Sequence, residues 1–527
     1  MSVAARPRSA SLLHERVSLA SADRPAATAV AMGEERLTYE QLERRSNQLA
    51  RLLLDLGVRP GDRVLLAQPK APAAVVSMLA TLKAGGVYVP VDVSSPAGRV
   101  QKIIASAQPC VILACARAAG LLAELDFDAE LGSVEGELPS AAFGPATPAI
   151  LDASPLPGAS AATDPAHILF TSGSTGTPKG VVITHAMVGA FLDWALSHFG
   201  HRPDDRISGH PPLHFDLSTF DIYGTLSSGA ELHLPPPGTL LPRQLAAFIR
   251  DSQLTQWFSV PSTFAYMAGA NAIEHGDFPS LRRVIWCGEV LAPSVLAHWM
   301  ERVPQPTYTN LYGPTEATIA SSFHTVTEPP ARGAAPIPIG RPCAGEEIHV
   351  LGEELAPLPP GELGELYIEG AGLSPGYWRE EAKTRAAFIT HPDTGVRLYR
   401  TGDLGRRDED GLLHYAGRTD SQIKSRGYRI ELGEIETALS GLDGVAECAV
   451  VAVVSDGFEG TAICCAWSSR EGCAVDALSL RRMLAQTLPS YMLPTRWEQF
   501  EELPRNVSGK VDRRGLEESF AEGSRDD

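Results

Sequence analysis

Apolar residues recur at helical spacing early in the chain. Thr38 is followed three residues later by Gln41, and Leu42, Leu49, Leu52, Leu53 and Leu56 then fall near one face. A threonine that accepts from the amide three residues on, with a glutamine reaching back, is a capping box, so the pattern predicts a capped amphipathic helix. The stretches RVLLA at 63–67 and YVPV at 88–91 are short apolar runs of strand length, separated by a helix-like stretch over 71–84. Strand and helix alternate, which predicts an α/β fold with a parallel sheet covered on both faces. Residues 138–165, rich in Pro, Ala, Ser and Gly and without a period, read as an irregular connection. From 166 to about 418 the alternation resumes, with strand candidates at 167–170, 257–260 and 283–287.

Beyond Asp420 the pattern changes. A helix over 432–442, strands over 446–454 and 462–467 and a helix over 475–487 are enough for a small α+β unit. The predicted organisation is a large domain over 1–419 and a small one over 420–527, ending in a frayed acidic tail over 517–527.

Composition narrows the function classes. The 527 residues carry 45 Lys+Arg against 63 Asp+Glu, a net charge of −18 with no basic stripe, which argues against nucleic acid as a partner. No apolar run follows the two early arginines as a signal peptide would require, and none reaches the roughly 18–20 residues of a membrane span. The eight cysteines include no C-x-x-C pair. The expectation is a cytoplasmic protein without a membrane partner.

The most informative stretch is Leu169-Phe-Thr-Ser-Gly-Ser-Thr-Gly-Thr-Pro-Lys-Gly180, directly after a strand candidate. From Thr171 to Val181 it holds three glycines, five hydroxyl residues and one lysine. Backbone N–H groups and hydroxyls in such a loop can wrap an anion, phosphate above all. It is not a Walker A loop, because Lys179 follows proline and no Gly-Lys-Ser/Thr turn opens a helix. By composition alone, a surface linker remains an equal reading.

Other segments stand in order around it: LTYEQL at 37–42, LKAGGVYVPVD at 82–92, FDLS at 215–218, NLYGPTE at 310–316, GELYIEG at 364–370, YRTGD at 399–403, GRTDSQIKSRGYRIE at 417–431, LPSYMLP at 488–494 and NVSGKVD at 506–512. Together with the loop these resemble the core motifs of the adenylate-forming superfamily, which includes acyl-CoA ligases, luciferases and the adenylation domains of nonribosomal peptide synthetases. The resemblance implies a large N-terminal domain of layered α/β subdomains and a small mobile α+β C-terminal domain. It implies ATP and Mg²⁺ as cofactors. Thr171, Ser172, Gly173, Thr175 and Lys179 would embrace the β- and γ-phosphates, Glu316 would hold Mg²⁺ and Thr315 would contact the α-phosphate. Asp403 would accept from the ribose hydroxyls, Asn310 would meet the adenine edge, Tyr312 would stack on it, and Arg418 belongs to the same nucleotide set. Lys510 takes the leading catalytic role, bridging α-phosphate, ribose and substrate carboxylate. Asp420 matches the hinge, and Gly427 would leave room for a pantetheine arm. Charge supports this inventory independently: one anion must attack the phosphorus of a polyanion, so the site must neutralise several oxygens.

Asp216 is the discriminator of substrate. In amino-acid-activating members the matching aspartate pairs with the α-ammonium, whereas facing an uncharged group it would be desolvated without a partner. A turn or N-cap aspartate is the structural alternative. The resemblance lines the side-chain pocket with Leu217, Phe220, Ser259, Ile285, Cys287, Leu311, Ile319 and Ala320, none of them charged. A small or medium apolar amino acid follows, since a polar side chain would lose its hydrogen bonds there. Leu217, Phe220 and Leu311 look like stand-alone prolyl–carrier-protein ligases, while Ser259, Ile285 and Cys287 depart from that pattern. Proline, alanine, valine, cysteine or a nonproteinogenic relative stay open. Only seventeen residues follow Lys510 and no phosphopantetheine attachment motif occurs, so the expected acceptor is a separate carrier protein in natural-product biosynthesis. An acyl- or aryl-CoA ligase and a non-catalytic nucleotide-binding scaffold are the alternatives.

Overall fold

In the computed structural model the helix capped by Thr38 runs Tyr39–Asp55, with Thr38 accepting from the Gln41 amide and Gln41 reaching back. Leu42, Leu49 and Leu53 are buried beneath it. The structure describes residues 12–158, 160–173, 176–239, 241–454, 461–470, 473, 475–506 and 510–522. The early alternation builds a six-stranded sheet in the order Glu130–Glu135, Val111–Cys115, Arg63–Ala67, Val87–Pro90, Pro165–Thr171 and Lys179–Thr184. Every neighbour pair is parallel except the last, an antiparallel hairpin whose turn is the Gly/Ser/Thr-rich loop. The helix predicted over 71–84 is Pro72–Lys83, almost wholly buried, and 138–165 is the expected irregular connection, relieved by one short turn at Pro148–Ile150.

A nine-stranded sheet follows. Its parallel centre contains Gln256–Ser259, Arg283–Cys287 and Thr307–Tyr312 side by side, with antiparallel strands at both edges. These three central strands end together, so Ser259, Cys287 and Tyr312 lie at one sheet edge, where open α/β sheets place their ligands. Residues 346–418 depart from the predicted alternation. They form a five-stranded antiparallel sheet, because glycine turns such as Gly361, Gly395 and Gly411, all at positive φ, send the chain straight back instead of through a crossover helix.

From Gln422 on, the chain has its own architecture. A hairpin, Gln422–Ser425 with Tyr428–Glu431, leads into the helix Leu432–Ser440 and a three-stranded sheet of Val445–Val454, Thr461–Ser469 and Arg496–Gln499. Ile430, Ile435, Leu439, Val450, Ile463 and Leu484 form an apolar cluster of their own. The helix expected over 475–487 is shorter, Ala477–Leu484, because Asp476 caps it by accepting from the Ser479 amide. The tail is less frayed than its charge suggested: Leu516 and Phe520 are buried under the helix Arg513–Glu522, while 523–527 lie outside the described residues. Among the described residues no cysteine is in a disulfide, and no helix is long and apolar enough to cross a membrane.

Candidate functional site

The loop after Pro165–Thr171 is shaped by its glycines. A Cβ on Gly173 would stand 2.3 Å from the Thr177 carbonyl oxygen, and Gly176 sits at φ +71°. Only glycine fits at the first position without moving the backbone. Thr171 Oγ1 is buried with no hydrogen-bond partner among the described residues, so a donor or acceptor is left facing the loop. Thr175 lies outside the described residues.

Thr171 and Ser172 line a cleft that extends past Asp216, Leu217, Cys287, Thr315 and Asp403 to Arg418 and Gly427. At the loop end lies a buried cluster of charge. Glu316, fully buried in the short turn Thr315–Ala317, accepts from Tyr377 Oη at 2.7 Å and from Arg429 Nη1 at 2.9 and 2.7 Å, with Lys179 Nζ 3.6 Å away. Burial alone would raise the Glu316 pKa, but Arg429 and Lys179 overcome it and bring it down to about 2. Burial and the Arg429 charge pull Lys179 down to about 8, against the pull of Glu316.

Asp403 is bound on both oxygens. Tyr312 Oη donates to Oδ2 at 2.6 Å, and Arg418 pairs with Oδ1. Arg418 also grips Asp420 through two bonds, at 2.7 and 2.8 Å, and so ties Asp403 to the start of the C-terminal segment. Tyr312 and Asn310 are outside the cleft lining; the Asn310 amide donates to the Pro338 carbonyl at 2.9 Å. Lys424 Nζ lies over the Tyr312 ring, 5.9 Å from its centre.

Asp216 is 8% exposed and makes no side-chain cap to the short helix Leu217–Thr219 that follows it. The Leu217 N–H and the Thr315 side chain are the hydrogen-bonding groups beside its carboxylate. Burial raises its pKa to about 6, with Thr315 and Lys424 pulling the other way. A carboxylate so placed gains by meeting a cation.

Of the eight side-chain pocket positions, Leu217 and Cys287 line the cleft. Ile285, Leu311, Ile319 and Ala320 are buried behind them. Phe220 is turned into an aromatic cluster, stacked on His201 at 5.5 Å and edge-on to Phe191 at 5.3 Å. The Ser259 hydroxyl is engaged with His210 Nδ1 at 2.9 Å. Cys287 Sγ lies 3.8 Å from the Ile319 carbonyl oxygen.

Lys510 is exposed and absent from the cleft lining, its backbone paired with Asn506. What faces the cleft from the C-terminal segment is instead Gln422, Lys424, Gly427, Tyr428, Arg429 and Tyr491. Gly427 stands at φ +80°, a Cβ there would come within 2.7 Å of Val260 Cγ1, and its N–H donates to Glu289 at 2.8 Å. Sequence reasoning placed this segment at the site but missed Arg429 and Tyr377 as partners of Glu316. The motif around Gly427 was the available signal for Arg429; nothing local marked Tyr377.

Residues 17–378 match the AMP-binding enzyme family and 434–510 match the AMP-binding enzyme C-terminal domain. The chain is 36% identical over 514 residues to an L-proline–[L-prolyl-carrier protein] ligase of Streptomyces coelicolor, covering 93% of each. It also matches far larger proteins, spanning 6% of the probable nonribosomal peptide synthetase CymA of Salinispora arenicola and 13% of tyrocidine synthase 2 of Brevibacillus parabrevis. Among solved structures, the Vibrio cholerae adenylation domain AlmE in complex with glycyl-adenosine-5'-phosphate superposes with a TM-score of 0.85 at 26% identity, over 99% of this chain and 100% of that one. The holo form of PA1221, an NRPS protein containing adenylation and PCP domains, gives a TM-score of 0.82 at 28% identity over 96% and 84%. With the family matched over 17–378 and its C-terminal domain over 434–510, the chain belongs to the AMP-binding enzymes.

Proposed function

We propose that the protein activates a small or medium apolar α-amino acid as its aminoacyl-AMP and transfers the aminoacyl group to the phosphopantetheine thiol of a separate carrier protein. The observation that carries this reading is Asp216: buried, uncapped, and on the same cleft as the anion-wrapping loop. One oxygen of the substrate carboxylate attacks the α-phosphorus of ATP, the bond from that phosphorus to the β-phosphate bridging oxygen breaks, and pyrophosphate leaves. The thiol sulfur, losing its proton, then attacks the acyl carbon, and the acyl–phosphate C–O bond breaks to release AMP. The named substrate of the Streptomyces relative, proline, is one candidate, and the apolar wall of Leu217 and Cys287, with Ile285, Leu311, Ile319 and Ala320 buried, favours a compact apolar side chain.

Thr171, Ser172, Gly173, Thr175 and Lys179 hold the β- and γ-phosphates, Thr315 the α-phosphate, and Asp403, Asn310, Tyr312 and Arg418 the nucleoside end. A single buried carboxylate suits Mg²⁺, which takes most of its shell from substrate phosphates and water, so Glu316 is its ligand in this reading. When bound, Mg²⁺ neutralises charge on the phosphate oxygens. The chain divides into 1–419 and 420–527, with Asp420 at the hinge. Lys510 enters the cleft for adenylation, after rotation of the small domain away from the arrangement described above. Amino-acid-dependent ATP–pyrophosphate exchange across proteinogenic, fatty and aryl acids tests the reading. Exchange with compact apolar amino acids, lost in Lys510→Ala, is expected; exchange only with acids lacking an α-amino group overturns it.

A further inference from the structure

The hairpin of Gln422–Ser425 with Tyr428–Glu431 turns through Arg426 and Gly427, at φ +54° and +80°. Two residues at positive φ make the tight turn whose twist matches a β-hairpin. Such a turn leaves the Gly427 N–H outside the ladder, and a backbone donor packed against protein needs an acceptor. Glu289 supplies it: Oε1 accepts from the Gly427 N–H at 2.8 Å, across 138 residues. The other oxygen of the same carboxylate, Oε2, accepts from the Ser262 N–H at 2.8 Å. Ser262 lies in the first turn of the helix Pro261–Gly269, whose N-cap residue, Val260, has no side-chain acceptor. Glu289 therefore caps that helix from another loop, at an end where negative charge is favoured, and the cap fixes the direction of its second oxygen. Both loops continue strands of the central sheet: Val260 and Ser262 follow Ser259, and Glu289 follows Cys287 by two residues. A Cβ on Gly427 would meet Val260 Cγ1 at 2.7 Å, and Tyr428, next in the chain, stands edge-on to Phe215 at 4.8 Å. The hairpin tip is thus seated on the two strand ends that carry Ser259 and Cys287, beside the segment that carries Asp216.

We propose that Glu289 is a positioning residue for thiol transfer: its carboxylate, oriented by the Ser262 N–H, holds the hairpin tip at Gly427 in the register that transfer needs. This rests on the two-step reaction proposed above. Glu289 is outside the cleft lining, whereas Gly427 is part of it, so the glutamate acts through the glycine. A hydrogen bond from an N–H to an ionised carboxylate is about twice as strong as one between neutral groups. In the proposed cycle the small domain turns away for adenylation, so Glu289 then keeps Ser262 and loses Gly427, and its contribution falls on the transfer step. Misplacing reacting groups by about 1 Å costs about a hundredfold in rate, so a tip free to shift slows attack of the thiol. Glutamine at this position has one acceptor oxygen where the carboxylate has two. If that oxygen keeps Ser262, the amide NH₂ is turned toward the Gly427 N–H, donor against donor.

The test uses the full chain as wild type, Glu289→Gln and Glu289→Ala. Three quantities are read: amino-acid-dependent ATP–pyrophosphate exchange, single-turnover transfer of the preformed aminoacyl group to free pantetheine, and amide hydrogen exchange at Gly427 and Ser262. Glu289→Gln should leave ATP–pyrophosphate exchange within about twofold, with KM for ATP and amino acid unaltered, and slow transfer by about 10- to 100-fold, the loss of one hydrogen bond to a charged group. Its Gly427 amide should exchange at least about tenfold faster while Ser262 stays protected. Glu289→Ala should expose both amides and slow transfer at least as much. The split between the two half-reactions marks positioning, because a general loss of folding lowers both together. Equal losses of both half-reactions in Glu289→Gln, unaltered transfer, or unaltered protection of Gly427 overturns the proposal. If the wild type supports no exchange with any amino acid, the functional reading falls, and the protection of Gly427 by Glu289 still reports the contact by itself.

Discussion

Replacing Asp216 by asparagine keeps shape and removes charge. In the proposed complex the carboxylate, 8% exposed and without a cap bond, has the substrate ammonium as its partner. Truncating one member of a buried charge pair costs about 2–5 kcal/mol. At about 1.4 kcal/mol per decade this is roughly a 30- to 4,000-fold loss in kcat/KM for the amino acid, with the KM for ATP little changed. The raised pKa, about 6, adds a pH signature. At pH 5 only about a tenth of the free protein carries the charge, and at pH 8 nearly all of it does. KM for the amino acid should therefore rise about tenfold per unit below pH 6 and flatten above pH 7, and Asp216→Asn should lose that limb. Stability runs the other way. A folded pKa above the unfolded 3.8 means the folded state binds the proton more tightly, so stability is present below pH 4 and lost as pH rises through 6. The asparagine variant should be more stable than the parent at pH 8 by about 1–3 kcal/mol, and equal to it near pH 4. ATP–pyrophosphate exchange from pH 5 to 8, with denaturant unfolding at both ends, reads all three effects. An acid limb that survives in Asp216→Asn, or a loss below about threefold, refutes the assignment.

Gly427→Val should cut carrier loading at least tenfold while leaving ATP–pyrophosphate exchange within about twofold, since a Cβ there meets Val260 and over-packing costs about 1–3 kcal/mol; the two half-reactions are assayed separately with a carrier protein. Lys510→Ala should lower the exchange rate about 10²–10³-fold with little change in ATP affinity, the effect of removing one preorganised charge from a transition state. Cys287→Gly should widen the cleft wall beside Leu217 and improve kcat/KM for larger aliphatic amino acids by about tenfold relative to the preferred one, as competition between substrates would show.

Local order was readable wherever neighbours in sequence settle it. The Thr38 cap, the strand Arg63–Ala67 and the strand Arg283–Cys287 follow from periodicity and capping, which are interactions within a few residues. The loop after Thr171 was readable because close backbone packing demands glycine where it demands it. Phe220 was read as a pocket wall because its position matched a motif, yet the direction of its ring is decided by Phe191 and His201, packed from other parts of the chain. Tyr312 was read as a stacking face, and the nearness of Asp403, 91 residues away, gives its hydroxyl a partner.

The sequence by itself determined the order of elements and a loop able to wrap an anion, because composition and spacing restrict chemistry one segment at a time; the ammonium-facing role of Asp216 came only with the resemblance to the adenylate-forming superfamily. Tertiary structure alone decided that Glu316 is neutralised by Arg429 from 113 residues away, and that Glu434 reaches Arg99 across 335 residues. Such pairings are set by the packing of one domain on another, and a buried charge takes whichever partner that packing delivers, a choice that no local pattern encodes.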